Sequence, residues 1–161
     1  MNKLTKISQN MNFDDIFSLV KKSVEKTLGQ HRAGLTLVLT DLPNTIGAYH
    51  ALGSNYLVMN RTILNAVSVL VKSKIELNSF IFSILTHEYL HALGYINEEK
   101  VRNLVFRVSE ENLGRDHPAS RMSSQGIVEI YLELRNLGEG KVGTNTTIIK
   151  NFDNSSMPYI S

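Results

Sequence analysis

Thr86-His87-Glu88-Tyr89-Leu90-His91-Ala92-Leu93-Gly94 is the stretch on which the reading of this chain turns. It sets His-Glu-x-x-His inside a segment that otherwise reads as a buried helix, with Phe80, Ile81, Ile84, Leu85, Leu90 and Leu93 apolar nearly all round. On a helix, positions i and i+4 share a face one turn apart, so His87 and His91 aim their imidazoles at one point. Buried imidazole and carboxylate groups are costly unless paired or bound to a metal. Two neutral imidazoles converging in this way suit Zn²⁺. Glu88, next to the first of them, is then placed to take a proton from water at that point and is the expected catalytic residue.

Composition narrows the alternatives. With 161 residues, 42% hydrophobic and 20% charged, the chain has the balance of a globular domain with a real core. It has no cysteine, so Cys-ligated zinc, iron–sulfur clusters and disulfides are excluded, and any metal must be held by His and carboxylate. A net charge of +2 without a basic block gives no signal for nucleic acid. No run approaches the roughly 18 apolar residues of a membrane span, and the first twelve residues lack a signal-peptide core. A cytoplasmic protein is therefore the expectation.

Outward from the motif, residues 13–28 read as an amphipathic helix through Ile16, Phe17, Val20, Val24 and Leu28, stopped by Gly29. Leu35–Leu42 and Tyr56–Met59 read as strands, and 45–53 between them as a loop or irregular strand. A helix is expected from about Thr62 to Ser73, and Asn78 or Ser79 is expected to cap the motif helix, which ends at Gly94. Another helix runs from Glu98 to about Leu113, then Pro118 opens a short helical turn, and Ile127–Leu137 reads as a last amphipathic helix. From Gly138 onward the chain is rich in Gly, Asn, Thr and Ser. The expected division is a domain over 1–137 and a C-terminal tail over 138–161, loosely attached or covering the cleft.

His87, Glu88 and His91 give the chain its resemblance to the zincin metallopeptidases, specific over about 78–94 and architectural elsewhere. The resemblance implies an α+β, zincin-like fold in which a small twisted sheet packs on helices that include the motif helix. It also implies a peptide or protein substrate, aligned along an edge strand by strand addition, a role that falls by position on Ser54–Asn60. The implied chemistry is zinc-dependent peptide hydrolysis with Glu88 as general base. A third zinc ligand must follow downstream. The metzincin pattern His-Glu-x-x-His-x-x-Gly-x-x-His is followed through Gly94, but Asn97 stands where its third His belongs. His117, before a helix start, is the first candidate. Glu98 in the first turn of the next helix is the second, and Glu110 and Glu111 come after. The Tyr95 hydroxyl is a candidate donor to a developing oxyanion, with a core role as the alternative, and His50 a candidate cleft residue. Two other functions fit the same residues. One is a non-catalytic, metal-binding regulatory or interaction module. The other is a latent peptidase whose tail, through a segment such as Thr147–Lys150, occupies the cleft.

Overall fold

The structure is a computed structural model that describes residues 6–143, 146–150, 152 and 153. The rest of the expected tail, 144, 145, 151 and 154–161, lies outside the described residues. The first helix, α1 (Phe13–Leu28), starts at Asn12, whose side chain accepts from Asp15 N–H while the Asp15 carboxylate accepts from Asn12 N–H. This reciprocal cap satisfies two of the donors a helix start leaves open. Three strands follow: β1 (Thr36–Thr40), β2 (Ala48–His50) and β3 (Tyr56–Asn60). Next come α2 (Arg61–Leu70), the long α3 (Lys74–Ala92), α4 (Glu98–Leu113), α5 (Pro118–Gln125) and the single turn α6 (Ile127–Ile130). A 3₁₀ turn over Leu132–Asn136 and β4 (Thr147–Ile149) complete an α+β chain. Among the described residues no helix is long and apolar enough to cross a membrane.

α3 is the axis of the fold. Phe80, Phe82, Leu85, Tyr89 and Leu90 are buried on different sides of it, and it packs against α1, α4, α5 and β2. Each such side chain contributes about 1.5–3 kcal/mol by leaving water. The helix begins five or six residues earlier than the sequence alone suggests. Ser73, not Asn78 or Ser79, is the cap: its hydroxyl accepts from Glu76 N–H at 3.2 Å, and Glu76 reaches back to Lys72 N–H at 2.9 Å. Asn78 and Ser79 lie inside the helix and are buried, their polar groups bonded to the carbonyls of Ser8 and Ile75.

The sheet order is β2-β3-β1-β4. β1 and β3 run parallel, with Val38 opposite Val58, and β2 and β4 flank them antiparallel. This corrects the assignment of the edge strand. Tyr56–Asn60 is an interior strand, buried from Leu57 to Asn60, and the edge next to α3 is Ala48–His50, the segment read as irregular. β3 reads as an edge only while the short β2, interrupted by glycines on either side, goes uncounted.

The last expected helix is also divided: Tyr131, buried and with non-helical backbone, separates α6 from the 3₁₀ turn. The described part of the tail is docked on the body. β4 pairs with β1 at the edge opposite β2, so Thr147–Lys150 does not lie beside the strand bordering α3. Gly140 bridges Pro43, and a Cβ there would stand 2.8 Å from the Asn44 side chain, a contact only glycine allows. Phe152 stacks on Phe17 at 4.2 Å, and the carboxylate of Asp153 meets the Lys21 ammonium inside the protein.

Candidate metal centre

Glu98 reaches the motif because of the turn that ends α3. Gly94 N–H bonds to His91 O at 3.0 Å and Tyr95 N–H to Leu90 O at 3.1 Å, with Gly94 at φ 109, a conformation suited to glycine. This closing pattern reverses the chain within a few residues. Asn97 then caps α4 by accepting from Lys100 N–H at 2.9 Å, and Glu98 occupies the first turn of α4, over the face that carries the two histidines.

The resulting cluster is compact. The His87 and His91 ring centroids are 5.0 Å apart, and one ligand atom from each of His87, His91 and Glu98 lies within 4.8 Å of the others. The Glu98 carboxylate spans both rings, Oε1 at 2.6 Å from His91 Nε2 and Oε2 at 3.0 Å from His87 Nε2. The other nitrogen of His91, Nδ1, lies 2.7 Å from Tyr95 O. A carbonyl only accepts, so Nδ1 carries a proton, and in the neutral ring Nε2 presents a lone pair to a carboxylate oxygen. Two acceptors at that separation require a proton or a cation between them. Two imidazole nitrogens and one carboxylate oxygen, with one ring oriented from behind by a carbonyl, form a donor set that fits zinc. The side chains are 24%, 15% and 61% exposed for His87, His91 and Glu98, so solvent reaches the cluster.

Electrostatics separate the two carboxylates. Glu88, only 6% exposed, has its pKa pushed up to about 7, first by burial and also by Glu98, against the opposing effect of His91. No hydrogen bond from a described residue reaches its carboxyl. Burial also acts to raise the pKa of Glu98, but His87 and His91 outweigh it and hold that carboxyl below its usual range. Burial lowers His87, against the raising effect of Glu98. Glu88 borders two spaces. One, of about 290 Å³, lies between β2 and the cluster and is lined by Ala48, Tyr49, His50, His87, His91 and Glu98 among others. The other, about 270 Å³, is mostly apolar, with Phe80, Ile84, Val105, Met122 and Ile127 in its walls.

His117, the first-ranked third ligand in the sequence reading, stands outside the cluster. It caps α5, its Nδ1 accepting from Ala119 N–H at 3.1 Å, and its pKa is lowered by burial and then by Arg121. A His before Pro118 serves the helix start in the same way as Ser, Asp or Asn at that position. Glu110 and Glu111 also lie elsewhere, paired with Arg115 and Arg107, about 18 and 20 Å along α4 from Glu98 at 1.5 Å per residue. The Tyr95 hydroxyl donates to Gln30 Oε1 at 2.6 Å, so it is the carbonyl of Tyr95 that serves the site. His50 does line the cleft, its Nε2–H donating to Ser54 O at 2.9 Å, whereas His31 is exposed. The sequence reading had no place for the hydroxyl of Tyr89 or for Arg32, which bond to each other behind the cluster; no local pattern marks either. No protein-family model, curated protein or solved structure matches this chain.

Proposed function

We propose that this chain is a zinc-dependent peptidase in which His87, His91 and Glu98 hold the metal and Glu88 is the general base. The observation that carries the reading is the Glu98 carboxylate spanning both histidine Nε2 atoms, with the far side of His91 already committed to Tyr95 O. When bound, zinc supplies Lewis acidity toward a substrate carbonyl and makes nearby water more acidic. Glu88, buried at the junction of the two spaces, accepts the proton from attacking water and returns it to the departing amine. A pKa near neutrality suits a group that must do both. Among the described residues β2 has one edge unpaired along the cleft, which supports an extended peptide as the substrate, added main chain to main chain. The apolar space beside Glu88 is then available to an adjoining side chain. The α+β arrangement, with a small sheet edge overhanging a His-Glu-x-x-His helix, supports a zincin-like reading of the fold.

Metal analysis of the purified protein tests this assignment. The expected result is about one zinc per wild-type chain and turnover of unfolded casein. Glu98→Ala is expected to weaken zinc by more than the roughly 10–100-fold that loss of an outer partner brings, and His117→Ala to retain it. A wild type that takes up no zinc sinks the reading; zinc lost from His117→Ala and kept in Glu98→Ala moves the third ligand to His117.

A further inference from the structure

We infer that Arg32 is a positioning residue that braces the metal helix against the β2–β3 turn and so sets the width of the cleft. Only the consequence for peptide binding rests on the peptidase reading. Arg32 lies in the connection between α1 and β1 and is anchored at its backbone by one hydroxyl. Its N–H donates to Tyr89 Oη at 2.8 Å, and Tyr89 Oη donates to Arg32 O at 3.2 Å. Tyr89 is fully buried on α3, between Glu88 and Leu90 of the motif, so the base of Arg32 moves with the metal helix.

The guanidinium reaches in two directions. Nη1 donates to Ala92 O at 2.6 Å, while Nη2 donates to Ser54 O at 3.0 Å and to Asn55 Oδ1 at 2.9 Å. Ala92 ends α3, so its carbonyl has no partner within the helix and sits at the negative end of the dipole, where a cation is favoured. Ser54 O also accepts from His50 Nε2–H, which carries the connection to the last residue of the edge strand. Among the described residues no hydrogen bond joins α3 directly to 48–60, and the polar link between these cleft walls runs through Arg32. All three acceptors are neutral, and among the described residues no carboxylate pairs with Arg32. Its charge is thus spent on geometry. A planar fork bonds both walls at once, whereas the single ammonium of lysine does not. Arg32 does not line the cleft and acts only through the two walls.

The test compares wild type, Arg32→Ala, Arg32→Lys and Tyr89→Phe as zinc-loaded full-length protein. The readouts are zinc content, amide hydrogen exchange, and KM and kcat on unfolded casein. In Arg32→Ala zinc stays bound, because no ligand is touched, while amides of 48–57 exchange faster and those of α1 are unchanged. KM rises between about ten- and a hundredfold and kcat changes far less, the signature of a misplaced substrate-binding wall. Arg32→Lys recovers little of this, and Tyr89→Phe, which keeps the ring and the guanidinium, lies between. Unchanged exchange over 48–57 overturns the brace. A general rise in exchange with KM unaltered overturns it as well, leaving Arg32 a stabilising residue only. If the wild type does not hydrolyse casein, the peptidase reading fails by itself, and exchange over 48–57 still decides the brace.

Discussion

Glu88→Gln is expected to lower peptide hydrolysis by roughly 10²–10⁴-fold while the chain keeps its zinc and its fold. The substitution preserves the shape of a side chain that is 6% exposed, so it opens no cavity. It removes a charge that burial disfavours, and no described hydrogen-bond donor loses a partner, so no stability is lost from that source. The donors proposed for the metal are on His87, His91 and Glu98, all untouched. What disappears is the ability to take a proton from water and return it. Parallel measurement of zinc content and casein turnover on the two proteins is decisive. Retained turnover removes Glu88 from the chemistry. Loss of zinc together with turnover makes the residue part of the metal site rather than the base. A metal-binding module without catalysis predicts a third result, no change in any function, because such a site has no use for a base.

Asp153→Ala is expected to destabilise the protein by about 3–5 kcal/mol, a fall in Tm of roughly 10 °C or more for a chain of this length. The side chains of Lys21 and Asp153 are 8% and 0% exposed, and the second carboxylate oxygen of Asp153 accepts from Leu35 N–H at 3.2 Å. Removing the carboxylate takes from the buried Lys21 ammonium its ion-pair partner and leaves a backbone donor without its acceptor. The damage reaches further because Phe152 precedes it, stacked on Phe17, whose ring lies nearly perpendicular to that of Tyr89 on α3 with centroids 5.4 Å apart. Lys21→Met combined with Asp153→Asn, which removes both charges and keeps an acceptor for Leu35, is expected to recover much of the loss. Thermal unfolding followed by circular dichroism measures both. A Tm for Asp153→Ala within about 2 °C of wild type would mean that the docked tail adds little to the fold.

How far the sequence is legible depends on the range over which each feature is decided. α1 and α4 match their expected bounds, since each has a local start and stop: Asn12 and Gly29 for the first, Asn97 and Gly114 for the second. The start of α3 was equally local. Ser73-Lys74-Ile75-Glu76 is a capping signature, but Asn78 and Ser79 are acceptable caps five and six residues later and compete with it. β2 was harder, being three residues long with Gly47 and Gly53 on either side, too short for an alternating pattern to register. The docking of the tail had no local signal at all. A polar, glycine-rich segment reads as loose unless the buried Lys21 that receives Asp153 is known.

The sequence by itself determined the pair of imidazoles and the carboxylate beside them, because an i, i+4 spacing on a helix places two side chains on one face whatever surrounds it. It limits the donors that could complete such a set to oxygen and nitrogen, there being no cysteine. Only the tertiary structure decided which candidate stands beside the two rings. His117, Glu98, Glu110 and Glu111 differ little as ligands; they differ in where the turn at Gly94 and the packing of α4 on α3 carry them. Only Glu98 is brought back over His87 and His91. Likewise, the edge strand and the Arg32 brace exist only through contacts between segments distant along the chain. The reason is physical: helical geometry is decided within a few residues, whereas the meeting of two elements depends on how every segment between them is packed.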